Sequence, residues 1–337
     1  MLAAIAALCA FEYSSHRYSV ESRDTLAIVT PANFPKPLYN IQITDKGFAL
    51  GKTLFYDPGL SVNGSVSCAN CHQASAAFGN LNSAVSTGVN DCKGTRNAPP
   101  LFNMAWQRTY MWDGRLNNMT TVPVNAFTNS CEMGTTMASV AKEVQQSPVY
   151  PDLFAKAFGS RIITQEKILN ALTQFTVMIV SANSKYDRVI RREGSAAFTP
   201  TEQTGYLLFK EKCSSCHIEP LFTDQSYRNN GLEINSTDRG RDSLTHRKTD
   251  IGKFRVPSLR NIEITGPYMH DGRFYSLKEV LKHYAGGIKQ HANLDKEFQK
   301  NGRLGVPLTE EQQVQVIAFL KTLTDVDLIN DRRFNNH

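Results

Sequence analysis

The sequence predicts a mainly α-helical protein of two related halves, with long loops between the helices. Three observations carry that prediction. Several stretches show helical spacing behind capping boxes, one segment recurs without a gap 158 residues further along, and a C-x-x-C-H pentapeptide stands in each half. No stretch alternates apolar and polar residues for long enough to suggest a sustained strand.

The helices follow in chain order. Residues 164–180 carry Ile168, Leu169, Leu172, Phe175, Val177 and Ile179 in a run too long for a strand. "TPTE" (199–202) is a capping box with proline at the first helical position, and it predicts a helix to about Lys212. "SLKEVLKHY" (276–284) opens with Ser276 and Glu279, another capping box. Helical phase then sets Leu277, Val280, Leu281 and Tyr284 on one apolar face, with His283 on the flank beside Glu279. "TEEQQVQVIAFLKTL" (309–323) is a further capped helix. The Gly-, Ser- and Asn-rich "FGNLNSAVSTGVNDCKGT" (78–95) reads as a long loop.

The repeat pairs "APPLFNMAWQRTYMWDGR" (98–115) with "VPSLRNIEITGPYMHDGR" (256–273). Shared positions include Asn103/Asn261, Tyr110/Tyr268, Met111/Met269, Asp113/Asp271 and Arg115/Arg273, while Trp112 faces His270. Duplication of one domain is the simplest account. The expected division is a leader-like segment 1–25, a first domain 26–185 and a second domain 186–337, with the boundary inside 181–198.

Composition narrows the function. Of 337 residues 41% are hydrophobic and 20% charged, enough for ordinary cores. The net charge of +6 is spread thinly, without the basic stripe that nucleic-acid binding requires. The apolar residues 2–11 are too few to span a bilayer and resemble the core of an export signal, without its positive leader. Within them Cys9 is a candidate for a lipid anchor, or a spare cysteine in a removed segment.

The pentapeptides are "CANCH" (68–72) and "CSSCH" (213–217). The spacing fits covalent attachment of a c-type haem. Cys68 and Cys71, and likewise Cys213 and Cys216, would add to the two vinyl groups, and His72 or His217 would ligate the iron. A zinc site would need further Cys or His at finger-like spacing, and none is present. A thioredoxin-like redox pair would need a βαβ setting. The reading is therefore two cytochrome-c-like domains, each with one covalent c-type haem, in an exported, periplasmic protein.

These motifs, together with "LGKTLFYDPGLSVNGS", "RNAPPLFN", "WDGR" and "CEMG", give a chain that resembles the bacterial di-haem cytochrome c peroxidases and their relative MauG of methylamine utilisation. The resemblance runs from about residue 50 to 324. It implies reduction of hydrogen peroxide at the first haem. Electrons enter at the second haem from a small cytochrome c or a cupredoxin. It makes Glu132 the catalytic proton shuttle and Trp112 an electron relay between the haems. It implies a calcium ion held by the Asn97 side chain and the carbonyls of Thr265 and Pro267, ligands that suit a hard cation. Peroxidases of the family are often dimers, so a homodimer is an expected assembly.

Two positions depart from the usual peroxidase pattern. Many members cap the resting first iron with a loop histidine. Here the matching residue is Val89, which cannot ligate, so the first site is expected to be open without prior reduction. The usual methionine ligand of the second iron matches Tyr284, as in MauG, with His283 as the rival; Met269 is expected to pack rather than ligate. The two remaining cysteines of the loop region, Cys92 and Cys131, are either a disulfide stiffening the first pocket or two free thiols. Three functions compete: a peroxidase fed by a small redox protein, a MauG-like oxidase acting on a protein partner by long-range electron transfer, and a non-enzymatic di-haem carrier. Glu132 and the missing ligand at Val89 argue against the carrier.

Overall fold

The computed structural model describes residues 25–81, 83–300 and 302–335. Cys9 and the leader-like segment before Thr25 lie outside them. Twelve α-helices follow one another: Asp45–Tyr56 (α1), Cys68–Cys71 (α2), Val122–Thr128 (α3), Met137–Gln146 (α4), Tyr150–Phe158 (α5), Gln165–Val177 (α6), Lys185–Ile190 (α7), Pro200–Lys212 (α8), Asp242–Thr245 (α9), Leu277–Lys282 (α10), Glu310–Lys321 (α11) and Val326–Asn330 (α12). Among the described residues, strands occur only as three two-residue antiparallel pairs. The expectation of a mainly helical chain holds.

Each half is organised by one long helix pair, α1 against α6 and α8 against α11. The predicted caps form: Thr199 Oγ1 accepts from the Glu202 amide, Ser276 Oγ from Glu279, and Thr309 Oγ1 from Gln312. Both pairs cross at a glycine. A Cβ on Gly51 would lie 2.0 Å from the Ala171 carbonyl oxygen, and one on Gly205 would lie 1.9 Å from that of Gln315. The neighbour in each case is backbone, so only glycine permits the approach.

The cores repeat in the same way. Phe55 meets Phe175 at 4.9 Å between ring centroids, and Phe209 meets Phe319 at 5.1 Å. Phe78 and Phe222 complete the two clusters, each 6.2 Å from the second ring of its pair. The recurring segments also fold alike. Tyr110 bridges Leu116 as Tyr268 bridges Phe274, Tyr110 Oη donates to the Met104 carbonyl as Tyr268 Oη does to Ile262, and both Met111 and Met269 have positive φ.

The halves exchange their ends, which a division after residue 185 does not convey. Leu328 and Phe334 belong to the core of the first half, and Tyr56 Oη donates to the Phe334 carbonyl at 2.5 Å. Near the other end, Asn33 donates to Asp187 at 2.9 Å, and the Arg260 guanidinium lies 4.6 Å from the Phe34 ring centroid. Arg260 and Asp187 form a fully buried two-pronged ion pair, both bonds 2.8 Å. Burial alone would raise the Asp187 pKa, but Arg260, Asn33 and Ser184 hold it below the usual range.

One expectation needs correction. The helix from Ser276 does not carry Tyr284 on its apolar face: α10 ends at Lys282 and a π-turn covers His283–Gly287. Within that turn the Tyr284 carbonyl accepts from the Val306 amide at 2.7 Å. His283 consequently is buried, not placed on an outer flank.

The crossings give a direct test. Gly205→Ala forces α8 and α11 apart, and the overpacking outweighs the helix-propensity gain of about 1 kcal/mol. The expected net loss is about 1–3 kcal/mol, read as a lower midpoint of thermal unfolding, with the same sign for Gly51→Ala.

Candidate functional site

The pentapeptides form two matching turns. The His72 amide donates to the Cys68 carbonyl and the His217 amide to that of Cys213, both at 3.0 Å. Each imidazole then uses Nδ1–H on a main-chain carbonyl, Phe78 for His72 and Phe222 for His217, both at 3.1 Å. That choice fixes the tautomer and leaves Nε2 with its lone pair, as an iron ligand requires. Burial pushes the His72 pKa down to about 4 against the opposing Phe78 bond, and lowers that of His217 as well, so both rings are neutral. Cys68, Cys71, Cys213 and Cys216 are free thiols, not disulfides, so all four remain available for thioether formation. Burial raises Cys68 and Cys213 to about 12. The donor set of both turns fits a c-type haem.

A cavity of about 750 Å³ opens at the first turn. Cys71, His72, Asn97, Trp112 and Glu132 all line it, so the structure brings together residues that the sequence scatters over some sixty positions. Burial pushes the Glu132 carboxyl up, while the Asn129 amide, donating to Oε1 at 2.8 Å, and the nearby Arg115 act in the opposite sense. Arg255 also lines the cavity. It is buried, has no carboxylate partner among the described residues, and reaches only the Met111 carbonyl at 3.4 Å. A buried cation without a counter-ion suits a haem carboxylate.

The loop over this cavity is clamped. Cys92 and Cys131 form a disulfide. The Val89 amide donates to the Glu132 carbonyl at 2.9 Å, and a Cβ on Gly88 would lie 2.1 Å from the Cys131 carbonyl oxygen. Val89 itself is buried. Besides His72, the imidazole lining the cavity is His270, which stacks on Phe254 at 3.8 Å rather than coming from the loop.

The two halves meet through reciprocal bonds. The Asn97 amide donates to the His270 carbonyl and the Arg255 amide to the Trp112 carbonyl, both at 2.7 Å. Asn97 and Arg255 are separated by the repeat offset, as are Trp112 and His270. The Trp112 indole N–H donates to the Asn97 carbonyl at 2.8 Å. The chain's other tryptophan, Trp106, is an ordinary core residue bonded to the Pro35 carbonyl. Asn97 Nδ2 donates to the Ala84 carbonyl at 3.1 Å, and Thr265 lies against Gly79. No cluster of three or more His, Cys, Asp or Glu among the described residues could hold a metal ion.

At the second turn, Tyr284 lies near Cys213 and Cys216, and burial raises the pKa of its hydroxyl. Its ring stacks on Phe298 at 5.5 Å. His283 is occupied: Nε2–H donates to the Asn230 carbonyl at 3.0 Å.

Comparison with known proteins agrees with this geometry. Residues 45–195 match the family model for di-haem cytochrome c peroxidase. The methylamine utilisation protein MauG of Methylophilus methylotrophus is 33% identical, over 87% of this chain and 86% of that protein. The cytochrome c551 peroxidase of Nitrosomonas europaea is 35% identical, over 82% of this chain and 79% of that one. The chain belongs to the di-haem cytochrome c peroxidase family. The fold of this chain also matches the crystal structure of a MauG-like protein associated with microbial copper homeostasis, with a TM-score of 0.84 and 30% identity over 92% of this chain and 99% of that one. The family is one of oxidoreductases with two haems, in line with the two matching turns.

Three residues of the chain escape a reading of its sequence: Asn129, Arg255 and Asn230. Arg255 carried one signal, its place at the repeat offset from Asn97. The raised pKa of Glu132, read as the proton acceptor that the family resemblance implies, gives a prediction. The rate of the holoprotein with peroxide rises with pH through a limb above the ordinary carboxylate range. Asn129→Ala removes a bond that favours the carboxylate, so the limb moves higher. Rapid mixing across pH checks this, and a limb that stays in place in Asn129→Ala would contradict it.

Proposed function

We propose that the protein is an exported di-haem peroxidase that reduces hydrogen peroxide to water, H2O2 + 2H+ + 2e− → 2H2O. The electrons come from a small cytochrome c or cupredoxin and enter at the second site. The observation that carries this reading is Glu132, a buried carboxylate held by Asn129 in the same cavity as His72. When bound, the haem at that site supplies an iron that accepts peroxide and stores oxidising equivalents. Glu132 takes a proton from the near peroxide oxygen and returns it to the far one, so that the far oxygen leaves as water. The buried Arg255 would hold a haem carboxylate, and His72 and His217 would each supply an imidazole nitrogen to an iron. Trp112 passes electrons between the sites, and its bond to Asn97 keeps the indole oriented. Asn97, Thr265 and Pro267 supply a calcium site; the Asn97–His270 bond holds the first ligand near the segment bearing the others. Export is supported by the Cys92–Cys131 disulfide, which persists in oxidising compartments.

The clamped loop bears on the resting state. No histidine enters the cavity from residues 86–94, and the loop is tied to the Glu132 segment by a covalent bond. The first site is therefore ready in the fully oxidised protein.

A MauG-like reading is favoured by one observation, Tyr284 at the second turn. A phenolate ligand stabilises ferric and higher states more than a thioether does. The second site would then be a poorer acceptor from a high-potential donor and a better store of oxidising equivalents, to be spent on a protein partner.

Mixing the fully oxidised holoprotein with hydrogen peroxide should change the haem spectrum at once, with no reductant added. Glu132→Gln should slow that step by about 10²–10⁴. An oxidised protein that is inert until reduced would contradict the reading. Rapid turnover with reduced cytochrome c supports the peroxidase; a long-lived oxidised state with little turnover supports the MauG-like oxidase.

A further inference from the structure

We propose that Asn230 is a positioning residue for Tyr284, and that its amide N–H, donated to the phenol oxygen, sets the reduction potential of the second haem. The inference rests on the reading of Tyr284 as that iron's ligand. Asn230 Nδ2 lies 3.3 Å from Tyr284 Oη and 3.3 Å from Met269 Sδ. A thioether sulfur accepts hydrogen bonds and cannot donate, so the end of the amide facing Met269 is the NH2 group. Its two hydrogens can serve the sulfur and the phenol oxygen together. Met269 thus anchors the amide, which explains a methionine here without making it a ligand.

The backbone holds the arrangement. His283 and Tyr284 are consecutive residues of the π-turn, and they take the two sides of Asn230: His283 Nε2–H bonds its carbonyl and Tyr284 accepts from its side chain. On either side, Asn229 Oδ1 accepts from the Gly231 amide at 2.9 Å, the Asp295 amide donates to the Asn229 carbonyl at 3.0 Å, and the Lys289 amide donates to the Gly231 carbonyl at 2.7 Å. Gly231 has φ +65° and packs where a Cβ would lie 2.5 Å from Ile288. Asn230 therefore cannot swing freely away from the phenol.

The chemistry has a definite sign. A donor on the phenolate oxygen withdraws charge from it and weakens its donation to iron. Ferric iron loses more stabilisation than ferrous, so the one-electron reduction, with the electron supplied by the redox partner or an electrode, becomes easier. The phenolate stays bound and no proton is transferred.

Spectroelectrochemical titration of the holoprotein tests this, with the phenolate-to-iron absorption of the second haem as the reference signal. Asn230→Leu keeps the branched shape, with a somewhat larger volume, and removes the donor. It should retain the phenolate absorption while the reduction equilibrium of the second haem falls about tenfold, which is about 59 mV for one electron. Asn230→Asp, of the same size, places an acceptor there and should lower the potential at least as far; it serves if the leucine variant does not fold. Met269→Leu frees the amide and should give a smaller shift of the same sign. An unchanged potential in a folded Asn230→Leu or Asn230→Asp with the phenolate absorption intact would overturn the role of Asn230 alone. Absence of that absorption in the unsubstituted protein, or its survival in Tyr284→Phe, would overturn the ligand reading and this inference with it.

Discussion

Two main-chain hydrogen bonds, Asn97 N–H to the His270 carbonyl and Arg255 N–H to the Trp112 carbonyl, join the halves in the way that a two-fold interface joins identical subunits. Each is worth only about 0.5–1.5 kcal/mol. Their importance is positional. They fix Trp112 on the wall of the first cavity, put Arg255 from the second half into that cavity, and bring Asn97 to the segment that carries Thr265 and Pro267. A first half folded alone would have His72, Glu132 and the Trp112–Asn97 bond, but not the buried cation. The crossed ends and the Arg260–Asp187 pair keep the halves from sliding on this contact.

From one scaffold the halves have diverged at the positions around their C-x-x-C-H turns. In the first, a disulfide and the Val89–Glu132 bond hold a loop down beside the buried Glu132 carboxylate. In the second, a π-turn at the end of α10 presents a tyrosine to the haem turn and buries the adjacent histidine. Insertion of an extra residue into a helical turn is a common way to redirect a side chain near a functional site. The common parts, the imidazole-to-carbonyl bonds and the glycine crossings, are those that any haem domain of this plan needs to stand.

What was legible in the sequence was local. C-x-x-C-H and the Ser- or Thr-led capping boxes state their chemistry within five residues, so α8, α10 and α11 begin where expected. Helix α1 was not singled out because its cap, Thr44, lacks a Glu partner and its inner face uses two glycines. The repeat was visible in one segment only, because differing loop lengths change the offset between Phe55/Phe209 and Phe175/Phe319. Tyr284 was reached by a helical phase that breaks two residues before it, yet its hydroxyl still lies near Cys213 and Cys216. Asn230 acts across 54 positions and Arg255 through a tertiary contact, and no spacing rule announces either. The disulfide spans 39 positions, and the sequence left it open against two free thiols.

The reciprocal contact is expected to couple two otherwise separate sites through Trp112. This coupling is tested most directly by adding one equivalent of hydrogen peroxide to the oxidised Trp112→Phe holoprotein and following both haems by rapid-scan spectroscopy. The first haem is expected to react at close to its normal rate, since His72 and Glu132 are untouched, while the response of the second haem is slowed or lost. A second haem that responds as fast as in the unsubstituted protein would contradict it.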